Sequence, residues 1–317
     1  MKTLRLLAFV AAGFAYAVIV LGYVVRITGS GMGCGDDWPL CNGRIIPPLD
    51  QLETVLEYGH RLAVLGLSAL ALPLAVLAYL NRDHTGGLGR GGTLRPAVAG
   101  LILLVLQALI GALAVKLELP PWTVIVHLGI GLALLAVLMT VGLRAGRHLG
   151  ITAPPAGQDL VPNRLLIATL VIGVLALMLG GLTANLGAAA ACQGFPLCTG
   201  QLWPAGGESG LPHIHWTHRL LAYAFFVTSL LFAVKLTRRG ASARLAVAAW
   251  VAFGTVAAQV IVAAIMVLAY LPPVWRALHA VVGTLVWVAL VYVAWLALAG
   301  REEPVPTAGA TREPSTG

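Results

Sequence analysis

Long apolar runs alternate with short polar stretches along the whole 317-residue chain. A run of about 20 apolar residues crosses a bilayer as a helix, because a helix satisfies its backbone N–H and C=O groups internally. Eight such runs are present, at 6–25, 62–80, 96–115, 122–143, 165–187, 216–234, 245–271 and 277–300. Most contain no Lys, Arg, Asp or Glu; the fourth carries His127, the sixth begins around His218-Arg219, and the eighth carries His279. The 216–234 run has a short uninterrupted apolar part. Lys2 and Arg5 precede the first run in the manner of a secretory signal. That run is longer than a signal's apolar core of roughly 7–15 residues, and no clear small-residue cleavage site precedes the first cysteine, so it is read as a retained helix.

The eight runs form two copies of one design. Cys34 and Cys192 are 158 apart, as are His60-Arg61-Leu62 and His218-Arg219-Leu220. Leu119-Pro120-Pro121 and Leu271-Pro272-Pro273 are 152 apart, and each is followed at one distance by a histidine, His127 or His279. Gly131 and Gly283 each come four residues after that histidine. An internal repeat of this kind marks a duplicated structural unit. Four spans per unit is an even number, so the two units share one orientation. The expected fold is an all-α integral membrane protein of eight transmembrane helices, arranged as two tandem, parallel-repeat four-helix bundles. Residues 1–150 form the first bundle, 151–300 the second, and 301–317 a polar, disordered cytoplasmic tail. Pro154, Pro155 and Gly157 mark the linker between bundles. The Gly-rich stretch 86–92 lacks the Lys and the strand-to-helix context of a phosphate loop.

Composition agrees with this picture: 59% of residues are hydrophobic and 10% charged, too apolar and too evenly so for a soluble domain or a single anchor. The net charge of +8 invites a nucleic-acid partner, but its distribution argues against one. With both termini on one side, 14 of the 20 Lys and Arg fall on the terminal side and 6 on the other. The basic excess therefore sets topology, placing the termini in the cytoplasm of a bacterial-type plasma membrane and the cysteine loops outside.

Outside the cytoplasm disulfides persist. Cys34 and Cys41 lie in VRITGSGMGCGDDWPLCNG, and Cys192 and Cys198 in the looser copy LTANLGAAAACQGFPLCTG. Each pair is expected to close its own loop, Cys34–Cys41 and Cys192–Cys198. Neither spacing matches the C-x2–4-C of structural zinc.

Four of the eight histidines sit at the repeated landmarks: His60, His127, His218 and His279. In the expected topology, His60 and His127 enter the membrane from the same face at similar depth, and His218 and His279 repeat the arrangement. One buried histidine alone is a core hydrogen-bonding group. Two per bundle, in duplicate, suit a pair of axial ligands gripping a haem iron from both sides. Arg61 and Arg219, next to these ligands, are candidate partners of haem propionates; anchoring at the membrane surface is their plainer reading. His84 and His148 fall in loops. His213 and His215 with His218 spell H-x-H-x-x-H, a metal-like spacing without a carboxylate or cysteine in register.

The copies differ at one place. Glu57 lies three residues before His60, whereas His215 lies three before His218. A carboxylate beside a porphyrin edge can take a proton or stabilise a developing cation. A helix-entry carboxylate favoured by the dipole is the alternative.

Residues 26–41 (RITGSGMGC with DWPLC), Glu57 to Arg61 (EYGHR), the two Leu-Pro-Pro…His segments and Thr217-His218-Arg219 together resemble the heme A synthase family, over nearly the whole chain. The resemblance implies an oxidoreductase that converts a methyl group of haem O to the formyl group of haem A for terminal oxidases. It implies His60 and His127 on the substrate side, His218 and His279 as axial ligands of haem b, and Glu57 as the catalytic carboxylate. Implied partners are haem O, a haem O synthase, membrane lipid and an electron acceptor of unspecified identity, and a homo-oligomer is compatible with the reading. A di-haem cytochrome b subunit moving electrons between a quinone and a partner, or a haem carrier or chaperone for oxidase assembly, would also carry four paired histidines. Glu57 on one half and the cysteine loops favour the synthase.

Overall fold

The computed structural model describes residues 1–89, 91–151, 163–205 and 209–298. The expected linker residues Pro154, Pro155 and Gly157 and the tail 301–317 lie outside these. All regular structure among the described residues is helical, with two isolated bridges, Cys41 to Arg44 and Cys198 to Gln201.

Eight helices are long and apolar enough to cross a membrane. They are α1 (Lys2–Ile27), α2 (Leu52–Leu80), α3 (Leu94–Lys116), α4 (Pro121–His148), α5 (Asn163–Asn185), α6 (Leu211–Arg238), α7 (Ala243–Leu268) and α8 (Pro273–Leu298). The protein is an integral membrane protein. Leu6, Leu65, Val105, Ile167, Val251 and Ile261 are exposed on the outer faces of their helices, as lipid contact requires.

Two helices begin well before their apolar runs. Helix α2 starts at Leu52 and α6 at Leu211, so Glu57, His60 and Arg61, like His215, His218 and Arg219, lie inside helices rather than at their entries. Glu53 in the first turn of α2 and Pro212 in the first turn of α6 are residues that start helices, and the polar side chains that follow interrupt the hydropathy but not the backbone.

The hairpins α3–α4 and α7–α8 share one turn. Glu118 and Leu119, and likewise Tyr270 and Leu271, adopt left-handed φ of 59°, 61°, 63° and 62°. The amides of Leu119 and Leu271 close back on the carbonyls of Ala114 and Met266 at 2.7 and 2.8 Å. The following Pro-Pro starts the next helix. Each hairpin therefore returns in tight antiparallel contact, which places the histidine of α4 or α8 against the helix before it.

In the first half α1 packs on α2 and α4, and α3 packs on α2 and α4, closing a four-helix ring. In the second half α5 packs on α6, α6 on α7 and α7 on α8, with a looser contact between α5 and α8. Ala8, Ala11, Ala12 and Ala15 line the buried stripe of α1 and let its neighbours approach closely. The halves meet along α1–α8, α4–α5 and α4–α8. Tyr16 donates to the Val281 carbonyl at 2.9 Å, Trp287 to the Leu132 carbonyl at 2.8 Å, and Arg26 Nε to Asn185 Oδ1 at 2.7 Å across this seam.

Candidate functional site

Each half carries a disulfide-closed loop over one end of its bundle. Cys34–Cys41 and Cys192–Cys198 are both bonded, with Cα atoms 4.4 and 4.8 Å apart, and all four cysteines are buried. Gly33 seats the first loop on the start of α2: a Cβ there would collide with the backbone of Glu53, and its carbonyl accepts from Thr54 Oγ1 at 2.8 Å.

One arginine per half ties the loop to the helix that carries a candidate ligand. Arg61 Nη1 donates to the carbonyls of Asp37 and Leu40 at 2.9 and 2.7 Å. Arg219 Nη1 donates to those of Gly194 and Leu197 at 2.8 and 2.9 Å, and its Nη2 to Cys192 at 2.6 Å. These arginines point into the loop, which surface anchoring would not require.

The residue four positions before the arginine completes the clamp, and here the halves diverge. Glu57 is 4% exposed. Its Oε1 pairs with Arg61 Nη2 at 2.5 Å, and its Oε2 accepts from the Cys34 amide at 2.8 Å. In the second half His215, 5% exposed, accepts from Arg219 Nε through Nε2 at 3.2 Å. His215 is thus a loop-clamp residue. Among the described residues no group of three His, Cys, Asp or Glu gathers as a metal site, and the H-x-H-x-x-H residues are not brought together as one. His213 instead stacks on Trp203, with ring centroids 5.4 Å apart.

His60 and His218 come one turn further along their helices. His60 and His127 are close enough for a charge on one to reach the other, and so are His218 and His279. All four imidazoles are half-buried, and Nδ1 of each is buried without a protein partner. Buried polar nitrogens are ordinarily paired. Four at repeated positions that are not paired would leave ring nitrogens available to hold a haem iron.

Glycines on the facing helices make room for the rings. A Cβ on Gly22 of α1 would sit 3.2 Å from His60 Cε1, on Gly111 of α3 3.0 Å from His127 Cε1, and on Gly180 of α5 2.7 Å from His218 Cε1. Gly22 and Gly180 are 158 apart, the offset of the candidate ligand histidines they face. His279 meets a side chain instead: Gln259 Nε2 lies 3.1 Å from its Nε2 and donates to its backbone carbonyl at 3.0 Å. Gln107, Gln259, Gly22 and Gly180 carry no motif of their own, and the constant offsets between the halves are the signal that finds them; Gly111 has Ala263 at the matching position.

The model of the COX15-CtaA family, described as cytochrome oxidase assembly protein, matches residues 5–291. The Heme A synthase of Symbiobacterium thermophilum is 33% identical over 314 residues, covering 95% of this chain and 98% of that protein. The Heme A synthase of Alkalihalophilus pseudofirmus is 31% identical over 227 residues, covering 69% and 72%. That of Bacillus mycoides is 27% identical over 236 residues, covering 74% of each. The chain belongs to the COX15-CtaA family of cytochrome oxidase assembly proteins, with the heme A synthases among its relatives.

Proposed function

We propose that the protein is a heme A synthase, an oxidoreductase that oxidises one methyl group of haem O to the formyl group of haem A within the membrane. The observation that carries the reading is the duplicated pair of partly buried imidazoles, joined by a buried carboxylate in one half alone. A half with Glu57 is suited to chemistry; a half with His215 in its place is suited to hold a resident haem.

The first half, residues 1–150, receives haem O between His60 and His127. In the second half, residues 151–300, His218 and His279 are the residues that would hold haem b. Haem b, when bound, supplies one-electron redox chemistry. After its bonds to the loop and to Glu57, Arg61 keeps two of its five N–H donors, and Arg219 keeps one after its bonds to the loop and to His215; these are the donors assigned to the propionate edge. The loops lie outside and both termini in the cytoplasm, as the Lys and Arg distribution requires.

Each oxidation of the substrate methyl adds a water oxygen and releases two electrons and two protons. The first round makes the alcohol, the second a gem-diol, and loss of one water leaves the aldehyde. Four electrons leave in total, to a one-electron acceptor. Glu57 holds negative charge where the methyl carbon becomes electron-poor, and each carboxylate oxygen keeps a lone pair for the attacking water. Arg61 and the Cys34 amide fix the carboxylate, and the clamped loop limits bulk water.

The experiment is co-expression with a source of haem O, followed by chromatography of extracted porphyrins. Haem A beside haem O and haem b is expected. Haem b alone would point to an electron-transfer subunit, and unconverted haem O to a carrier.

A further inference from the structure

Gln107 and Gln259 are the only glutamines inside the eight helices, and they are 152 apart, the offset that relates His127 to His279. Each sits 20 residues before its histidine, on the opposite arm of the same hairpin. A buried amide in an apolar membrane helix is costly unless it is used.

The use is visible at Gln259. Its Nε2 donates to the backbone carbonyl of His279 and reaches the ring Nε2 of the same residue. Gly283 makes this approach sterically possible: a Cβ there would stand 3.1 Å from Gln259 Nε2. Gly131 stands in the same relation to Gln107, with its added Cβ also 3.1 Å from Nε2. The repeated Gln–His–Gly set is therefore one device built twice, with a glycine four residues after the histidine opening the turn to the amide.

We propose that Gln107 and Gln259 are positioning residues that set the ring orientation and hydrogen bonding of the ligand histidines His127 and His279. This rests on the reading of those histidines as haem ligands. The amide oxygen of each glutamine is buried without a partner, as is Nδ1 of each histidine. A neutral imidazole has one lone pair and one N–H; once iron takes the lone pair, the N–H needs an acceptor. A primary amide carries both a donor and an acceptor, so the same side chain can serve the ring before and after ligation. An amide oxygen that accepts the N–H of a ligand imidazole raises the ring's basicity and so favours the ferric state.

The test uses the full-length protein purified with its haem b. In Gln259→Leu the haem content stays near wild type, the low-spin g values change, and the midpoint potential rises. In Gln259→Glu, which offers a stronger acceptor, the potential falls. Gly283→Ala, which crowds the amide, moves the potential in the same direction as Gln259→Leu. Gln107→Leu leaves the haem b signal unchanged and weakens retention of added haem O. Loss of haem from Gln259→Leu with retention in Gln259→Glu also supports the inference. Unchanged g values and potential in Gln259→Leu overturn it, and so does loss of haem from both variants, which would report packing alone. His279→Met separates the two claims. If it alters the spectrum while the glutamine variants do not, the ligand assignment stands and the positioning role fails. If it leaves the spectrum unchanged, the ligand assignment itself fails.

Discussion

Glu57 and His215 occupy the same place in the two halves, three residues before a candidate ligand histidine, and each is bonded to the arginine four residues on. The carboxylate also accepts from the amide of Cys34, so it joins α2, the arginine and the disulfide loop in one buried cluster. The histidine keeps the bond to arginine without contributing a negative charge. The duplicated scaffold therefore holds two chemically different sites.

Replacing Glu57 by Gln keeps the size and removes the charge. Haem binding is expected to persist, while conversion falls by about 10²-fold or more, the usual contribution of a positioned acid–base group. Extracted porphyrins should then contain haem O or the alcohol in place of haem A. In the other half His215→Gln is expected to leave conversion within about threefold, because His215 clamps a loop and does not meet the substrate.

Arg61→Met would strand the buried Glu57 carboxylate and release the carbonyls of Asp37 and Leu40. Removing one partner of such a pair costs about 3 kcal/mol. The variant should unfold at lower temperature in detergent and be cut more readily by protease within residues 34–44. Arg61→Lys, a point charge without the planar fork, should recover only part of the loss.

The glycines facing the histidines give a graded series. Alanine in a helix interior is ordinarily favoured over glycine by about 1 kcal/mol. Gly180→Ala is expected to perturb the ligand field of haem b nonetheless, since its Cβ would stand 2.7 Å from His218. Gly111→Ala and Gly22→Ala, at 3.0 and 3.2 Å, should weaken haem O retention, the first more than the second. Absorption spectra of the variants read the order directly.

The second-half disulfide closes a short loop, and the loop is also held by three carbonyl bonds to Arg219. A double Cys192→Ser, Cys198→Ser variant should lose roughly 2 kcal/mol of stability, as expected for a loop of this size. It should keep haem b with an unchanged spectrum.

Much of this arrangement is legible in the sequence, and the failures have physical causes. The eight spans follow from hydropathy alone, and the two halves from constant offsets between landmarks. Helix starts were the weak point: the polar clusters around Glu57 and His215 end the apolar signal about ten and five residues inside the real helices, because hydropathy reports lipid contact and not backbone structure. The arginine clamps were not legible, since their carbonyl partners lie more than 20 residues away and backbone acceptors carry no residue signature. Gln107 and Gln259 look neutral one at a time; only superposing the halves at an offset of 152 brings them out.

The most direct measurement is the low-spin haem spectrum, by optical absorption and electron paramagnetic resonance, of the haem-loaded protein and its four single His→Met variants. The account predicts bis-imidazole signals, altered in the resident haem b by His218→Met and His279→Met, and in added haem O by His60→Met and His127→Met. Four variants with wild-type spectra, or one variant that alters both haems alike, would contradict it.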